Sequence, residues 1–249
     1  MSARQQLLDA AASRVLIFDG AFGTQIQERK LSEADYAGDL GLPADQKGNN
    51  DILALTRPDV IADITRAYLD AGSDVVSTNT FSANRISQAD YAAEGLVRDI
   101  NLASGKIARA LADEYAAKDG RPRFVAGAIG PTNKTLSLSP DVEDPGYREI
   151  DFDELVAVYK EQAAALVEGG VDFILIETVF DTLNAKAGIM AVKQLERDLG
   201  REVPLMISMT LTDLSGRNLS GHTVEAFWAS VERSCWRRSS RRRCTRSLP

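Results

Sequence analysis

The chain has 249 residues, 44% of them hydrophobic and 26% charged, which suits one large α/β domain or two small ones with a sizeable core. No apolar run reaches the roughly 18 residues of a membrane span, the N-terminal MSARQQLLDAAASRV lacks the apolar centre of a secretion signal, and two cysteines make no disulfide scaffold, so a cytoplasmic protein without a membrane partner is expected. The net charge of −7 is uneven: residues 233–249 hold seven arginines and no acid, which leaves the rest strongly acidic and a poor nucleic-acid binder.

Residues 1–13 read as a short polar helix. Val15, Leu16, Ile17 and Phe18 then form an unbroken apolar run, the pattern of a strand buried on both faces, and Asp19 follows at once. Gly20, Ala21, Gly23 and Thr24 make a loop with almost no side-chain bulk. An acid at a strand end beside such a loop suits a compact polar ligand held against backbone N–H groups; an ordinary Asp-Gly turn is the alternative. After a non-periodic stretch at 27–55, Thr56-x-x-Asp59 reads as a capping box. The helix it opens presents Val60, Ile61, Ile64, Ala67, Tyr68 and Ala71 on one face and stops at Gly72. A strand is expected at 74–78, ending in Asn79 and Thr80, then one or two helices over 85–117, then a strand at 124–129. A second non-periodic stretch covers 130–150. Asp151-x-x-Glu154 caps a helix that stops at Gly169-Gly170, and a strand at 171–176 runs into Glu177 and Thr178. A helix over 181–199, a strand at 204–209 and a last helix from near Thr223 complete the pattern.

Strand followed by helix, repeated along the chain, predicts a parallel sheet with helices outside it. A doubly wound sheet and a (β/α)8 barrel both fit. The barrel is favoured because polar residues recur just after the strands, where a barrel gathers them at one mouth. The two non-periodic stretches are too long for plain connections and read as loops over that mouth.

FDGAFGTQIQ (18–27), KGNNDILALTRPDVI (47–61), STNTF (77–81), GPTNKTLSLSPDVEDPGYREIDFDEL (130–155), GGVDFILIETVFDTLNAKA (169–187) and SGRNLSGHTVEAF (215–227) resemble the homocysteine-binding module of cobalamin-dependent methionine synthase, within the wider homocysteine S-methyltransferase family. The 47–61 and 130–155 segments point to the cobalamin-dependent branch. The resemblance implies a (β/α)8 TIM-barrel and a zinc ion held by three cysteines. It also implies methyl transfer from methylcobalamin to homocysteine, giving methionine, with folate- and cobalamin-binding modules as partners. On this chain it implies that Asp19 and Glu177 meet the ammonium of homocysteine and that Gly20 and Ala21 offer N–H groups to its carboxylate. Asn79 and Thr178 stand behind them as supporting polar groups. From the residues alone, a structural ion pair of Glu177 with Lys186 or Arg123 is the other reading.

The likeness covers residues 14–232 and then stops. The family's zinc cysteines have no counterpart: Cys235 and Cys244 lie among arginines at no zinc-site spacing, no metal ligand can be named, and His222 suits a local hydrogen bond. The abrupt change to RSCWRRSSRRRCTRSLP reads as a shift of reading frame near codon 232, with a selected basic tail as the alternative. The expected organisation is therefore a polar helix at 1–13, a partial barrel of about five of the eight βα units at 14–232, and a disordered tail at 233–249. A methyltransferase module so truncated is expected to be inactive alone; a non-catalytic remnant that binds an amino acid is the alternative.

Overall fold

The computed structural model describes residues 2–235, with side chains through Glu232. The expected tail beyond Cys235, with Cys244, lies outside the described residues, as does the Cys235 side chain. Four strands form one sheet: β1 (Val75–Ser77), β2 (Phe124–Ile129), β3 (Phe173–Val179) and β4 (Leu205–Met209). They lie in chain order and every neighbouring pair is parallel. Parallel neighbours need a crossover, and helices supply it. The α-helices of the described residues are α1 (Ala3–Ser13), α2 (Phe22–Glu28), α3 (Glu33–Ala37), α4 (Leu53–Thr56), α5 (Pro58–Asp70), α6 (Arg85–Gln88), α7 (Val97–Asp119), α8 (Phe152–Glu168), α9 (Thr182–Leu199) and α10 (Val224–Cys235), of which α6 to α9 lie between the strands. No helix among the described residues is long and apolar enough to cross a membrane.

Burial explains the central strands. All six residues of β2 are buried, as an apolar run with a neighbour on each side requires. Ile174, Ile176 and Val179 of β3 pack with Leu155, Tyr159 and Leu166 of α8 and Ile189 and Val192 of α9. Gly105 of α7 lets that helix touch Gly169 at the end of α8: a Cβ on Gly105 would lie 3.0 Å from the Gly169 Cα. Two acids tie the starts of the strands. The Asp74 carboxylate takes the Ile17 N–H at 2.9 Å and Arg14 at 2.5 and 2.7 Å, while the Asp172 carboxylate takes the Val125 N–H at 2.7 Å and Arg109 at 2.9 Å.

Three expectations need correction. The apolar run 15–18 is not a buried strand. It touches the sheet through one parallel bridge, Phe18 to Val75, and leaves Val15 80%, Ile17 53% and Phe18 37% exposed. Its other edge meets no strand among the described residues, and a strand with one neighbour cannot bury both faces. Of the (β/α)8 barrel expected at about five units, the described residues show a small parallel α/β sheet of four strands within a layer of helices. The capping box at Thr56–Asp59 does not form either. The helix starts at Pro58, whose ring suits the first helical position, and the Asp59 carboxylate instead takes Arg57 at 2.8 and 3.0 Å. The second box does form: Asp151 and Glu154 cap each other's backbone at 2.8 and 3.1 Å.

Candidate functional site

A cavity of about 920 Å³ opens at the C-terminal ends of the strands. Its wall comes from the loop after residue 18, the 48–51 loop, the ends of β1 and β3, and the 80–82 and 131–133 segments. This is where parallel α/β sheets bind ligands, because the loops that follow each strand meet there.

The 19–21 corner is held from two sides. The Asp19 N–H donates to the Val75 carbonyl at 2.9 Å, and its carboxylate accepts the Ser77 N–H at 2.6 Å and the Ser77 hydroxyl at 2.9 Å. The Tyr68 hydroxyl of α5 donates to the Ala21 carbonyl at 3.0 Å. Gly20 is required by that contact, since a Cβ there would lie 2.8 Å from the Tyr68 oxygen. Gly20→Ala is expected to cost about 1 kcal/mol, the worth of the Tyr68 hydrogen bond, and to lower the melting temperature. An unchanged melting temperature would show that the ring moves aside freely. Among the described residues no backbone acceptor takes the Gly20 or Ala21 N–H groups.

Burial pushes the Asp19 carboxyl up to about 6 against the opposing pull of its two bonds from Ser77. Glu177 lines the same cavity from within β3, two residues before its end. It too is pushed up, first by burial and then by the Asp19 charge. The structural ion pair does not occur: Arg123 pairs with Asp119 at 2.8 Å, and neither it nor Lys186 pairs with Glu177. The site is thus two carboxylates that sense each other, with four acids in the lining (Asp19, Asp51, Asp90, Glu177) and no cationic side chain among the described residues.

The supporting residues behave differently. Asn79 lines the cavity, but its side-chain N–H is spent on the Asn50 carbonyl at 2.7 Å, where it holds the 48–51 loop. Thr178 is not in the lining. It has φ +56, a left-handed conformation that costs a β-branched residue about 1–3 kcal/mol. Asp51 was not legible as a site residue. It is 6% exposed, lines the cavity, accepts the Ser82 N–H at 3.1 Å, and is pushed up to about 7 by burial. Its only sequence signal is its place in the KGNND segment.

Zinc does not fit the described residues. The lining offers carboxylates, amides and hydroxyls but no cysteine or histidine, and no group of three potential ligands occurs among the described residues. His222 bonds to Thr182 at 2.8 Å and Ser220 at 3.2 Å through Nδ1.

Fold and site together define a parallel α/β protein with an acidic cavity at its strand ends, a setting for a small cationic or zwitterionic ligand. The chain belongs to the homocysteine S-methyltransferase family, which matches residues 16–238. Its fold is similar to that of the homocysteine methyltransferase MmuM from Escherichia coli. The metallated form gives a TM-score of 0.70 at 20% identity over 92% of this chain and 74% of that one. The oxidized form gives 0.70 at 20% over 93% and 73%, and the apo form 0.61 at 19% over 88% and 68%.

These matches correct the expected identity. The structures found are of a homocysteine methyltransferase spanned for about three quarters of its length, so the reading as a truncated, inactive module of cobalamin-dependent methionine synthase is withdrawn. Methylcobalamin and the folate- and cobalamin-binding partner modules go with it. The two segments that suggest that branch, 47–61 and 130–155, line part of the cavity and hold their loops together by internal bonds. Asn49 bonds to Gln46 and Gln88 at 3.1 and 2.8 Å, the Asn50 carbonyl takes Asn79, and the Ser137 N–H and hydroxyl donate to Asp181 at 2.8 and 2.7 Å. Residues that hold loops together say nothing about a methyl donor.

Proposed function

We propose that this chain binds homocysteine in the strand-end cavity and serves methyl transfer to its thiol. Asp19 and Glu177 receive the ammonium, and the Gly20 and Ala21 N–H groups receive the carboxylate. The observation that carries the reading is the pair of half-buried carboxylates with no cation beside them among the described residues. Such a pair is unfavourable when empty, and an ammonium relieves both the repulsion and the desolvation. Homocysteine, a zwitterion with a thiol at its far end, is held at one end by this arrangement while the thiol stays free for a methyl group. The strand order, parallel throughout and in chain sequence, supports placing this sheet within a (β/α)8 framework.

Calorimetry tests the reading with L-homocysteine against 4-mercaptobutanoate, which lacks the ammonium. L-Homocysteine is expected to bind, and the desamino compound at least about tenfold more weakly, given about 1.5–3 kcal/mol for a charge-assisted contact. Equal affinities would remove the ammonium from the recognition. Methionine formed from homocysteine and a labelled methyl donor would establish the transfer itself.

A further inference from the structure

We propose that Thr178 is a positioning residue, whose left-handed backbone holds the Glu177 carboxylate in the cavity. The inference rests on the homocysteine reading above. In the β3–β4 ladder Ile176 pairs with Ile207 and Val179 with Met209, so Glu177 and Thr178 together oppose the single residue Ser208. That is a β-bulge, and it changes which side of the sheet each later residue faces. Before it, Leu175 and Glu177 line the cavity while Ile174 and Ile176 pack into the helical layer. A regular strand would next send residue 179 to the cavity and 180 to the helices. The observed order is reversed: Val179 joins the helical core and Phe180 lines the cavity. The extra residue that causes the reversal is Thr178, with φ +56.

One residue therefore does two things. It ends the regular ladder directly after Glu177, whose face the alternation with Leu175 already sets, so it fixes the backbone that carries that carboxylate, and it turns Phe180 into the same cavity. A threonine disfavours this conformation, whereas asparagine and glycine adopt it readily, and proline, fixed near φ −65°, cannot. The Thr178 side chain is not part of the lining, so its contribution is through the backbone.

The test measures L-homocysteine affinity and melting temperature for E177Q, T178N, T178G and T178P. T178N and T178G are expected to keep the dissociation constant within about twofold and to melt above the parent chain, because the strain is relieved and the bulge is kept. T178P is expected to bind at least about tenfold more weakly. Its affinity between about pH 5 and 8 should follow the profile of E177Q, a change that a purely structural defect would not produce. T178P binding as tightly as the parent chain would overturn the inference. So would T178N or T178G binding more than about fivefold weaker, or failing to melt higher. Should T178P not fold, the asparagine and glycine variants decide. Parent-like binding by E177Q would overturn the homocysteine reading and this inference together, whereas weak E177Q with tight T178P overturns the inference alone.

Discussion

Glu177→Gln is expected to weaken homocysteine binding by about 10- to 100-fold, the loss of one charge-assisted contact worth about 1.5–3 kcal/mol. The substitution keeps size and shape and removes only the charge. In the free protein that charge is a burden: it is partly buried, senses Asp19, and has no cation to answer it among the described residues. The melting temperature of the variant is therefore expected to stay level or rise while affinity falls, the opposite of a general folding defect. A pH dependence accompanies this. Asp19 ionises near 6, so affinity for the ammonium is expected to fall as pH drops through that value and the carboxylate takes up a proton. Calorimetry at neutral and mildly acidic pH, with thermal denaturation of both chains, checks all three statements. Unchanged affinity in the variant would remove Glu177 from the site.

Asp51→Asn is expected to stabilise the protein at pH 8 by about 2–4 kcal/mol and by less than about half of that at pH 5. The folded value is raised to about 7 by burial, whereas an unfolded aspartate ionises near 3.9. Between those values the folded chain holds a proton that the unfolded chain has lost. Stability from this group is therefore greatest below the unfolded value, falls as pH rises toward 7, and stays low above it. Asparagine has no ionisation to suppress, and its amide oxygen still accepts the Ser82 N–H that Asp51 accepts at 3.1 Å. For a domain of this size the gain corresponds to roughly 5–10 °C in melting temperature at pH 8. Equal melting temperatures for the two chains at that pH would mean that the Asp51 carboxylate is better solvated than its burial implies.

The central strands were legible because their burial follows from the chain alone. Residues 124–129 form β2 as expected, since six apolar or small residues between turn signals have only a two-sided interior to enter. The helix over 151–168 was legible from its cap, which needs only residues three apart. The same cap failed at Thr56 because Pro58 set the helix start and Arg57 drew Asp59 away. Residues 15–18 were misread because an apolar run reports what a segment could bury, not whether a second neighbour is there to bury it. The end of β3 was placed at 176 instead of 179 for a related reason: Glu177-Thr178 looks like a polar strand end, and nothing local announces that it is a bulge.

The sequence by itself determined the parallel βα order and marked Asp19 and Glu177 as acids that follow apolar runs. Both follow from short-range pattern: apolar runs of strand length, helical periodicity, and a polar residue directly after an apolar run. Only the tertiary structure decided that these acids share one cavity with no cation among the described residues, that Asp51 joins them, and that a left-handed Thr178 makes a bulge directly after Glu177. Those facts depend on residues far apart in the chain, such as Asp19 and Ser77, separated by 58 positions. Neither periodicity nor spacing carries information across that distance, because such contacts exist only once the sheet has formed.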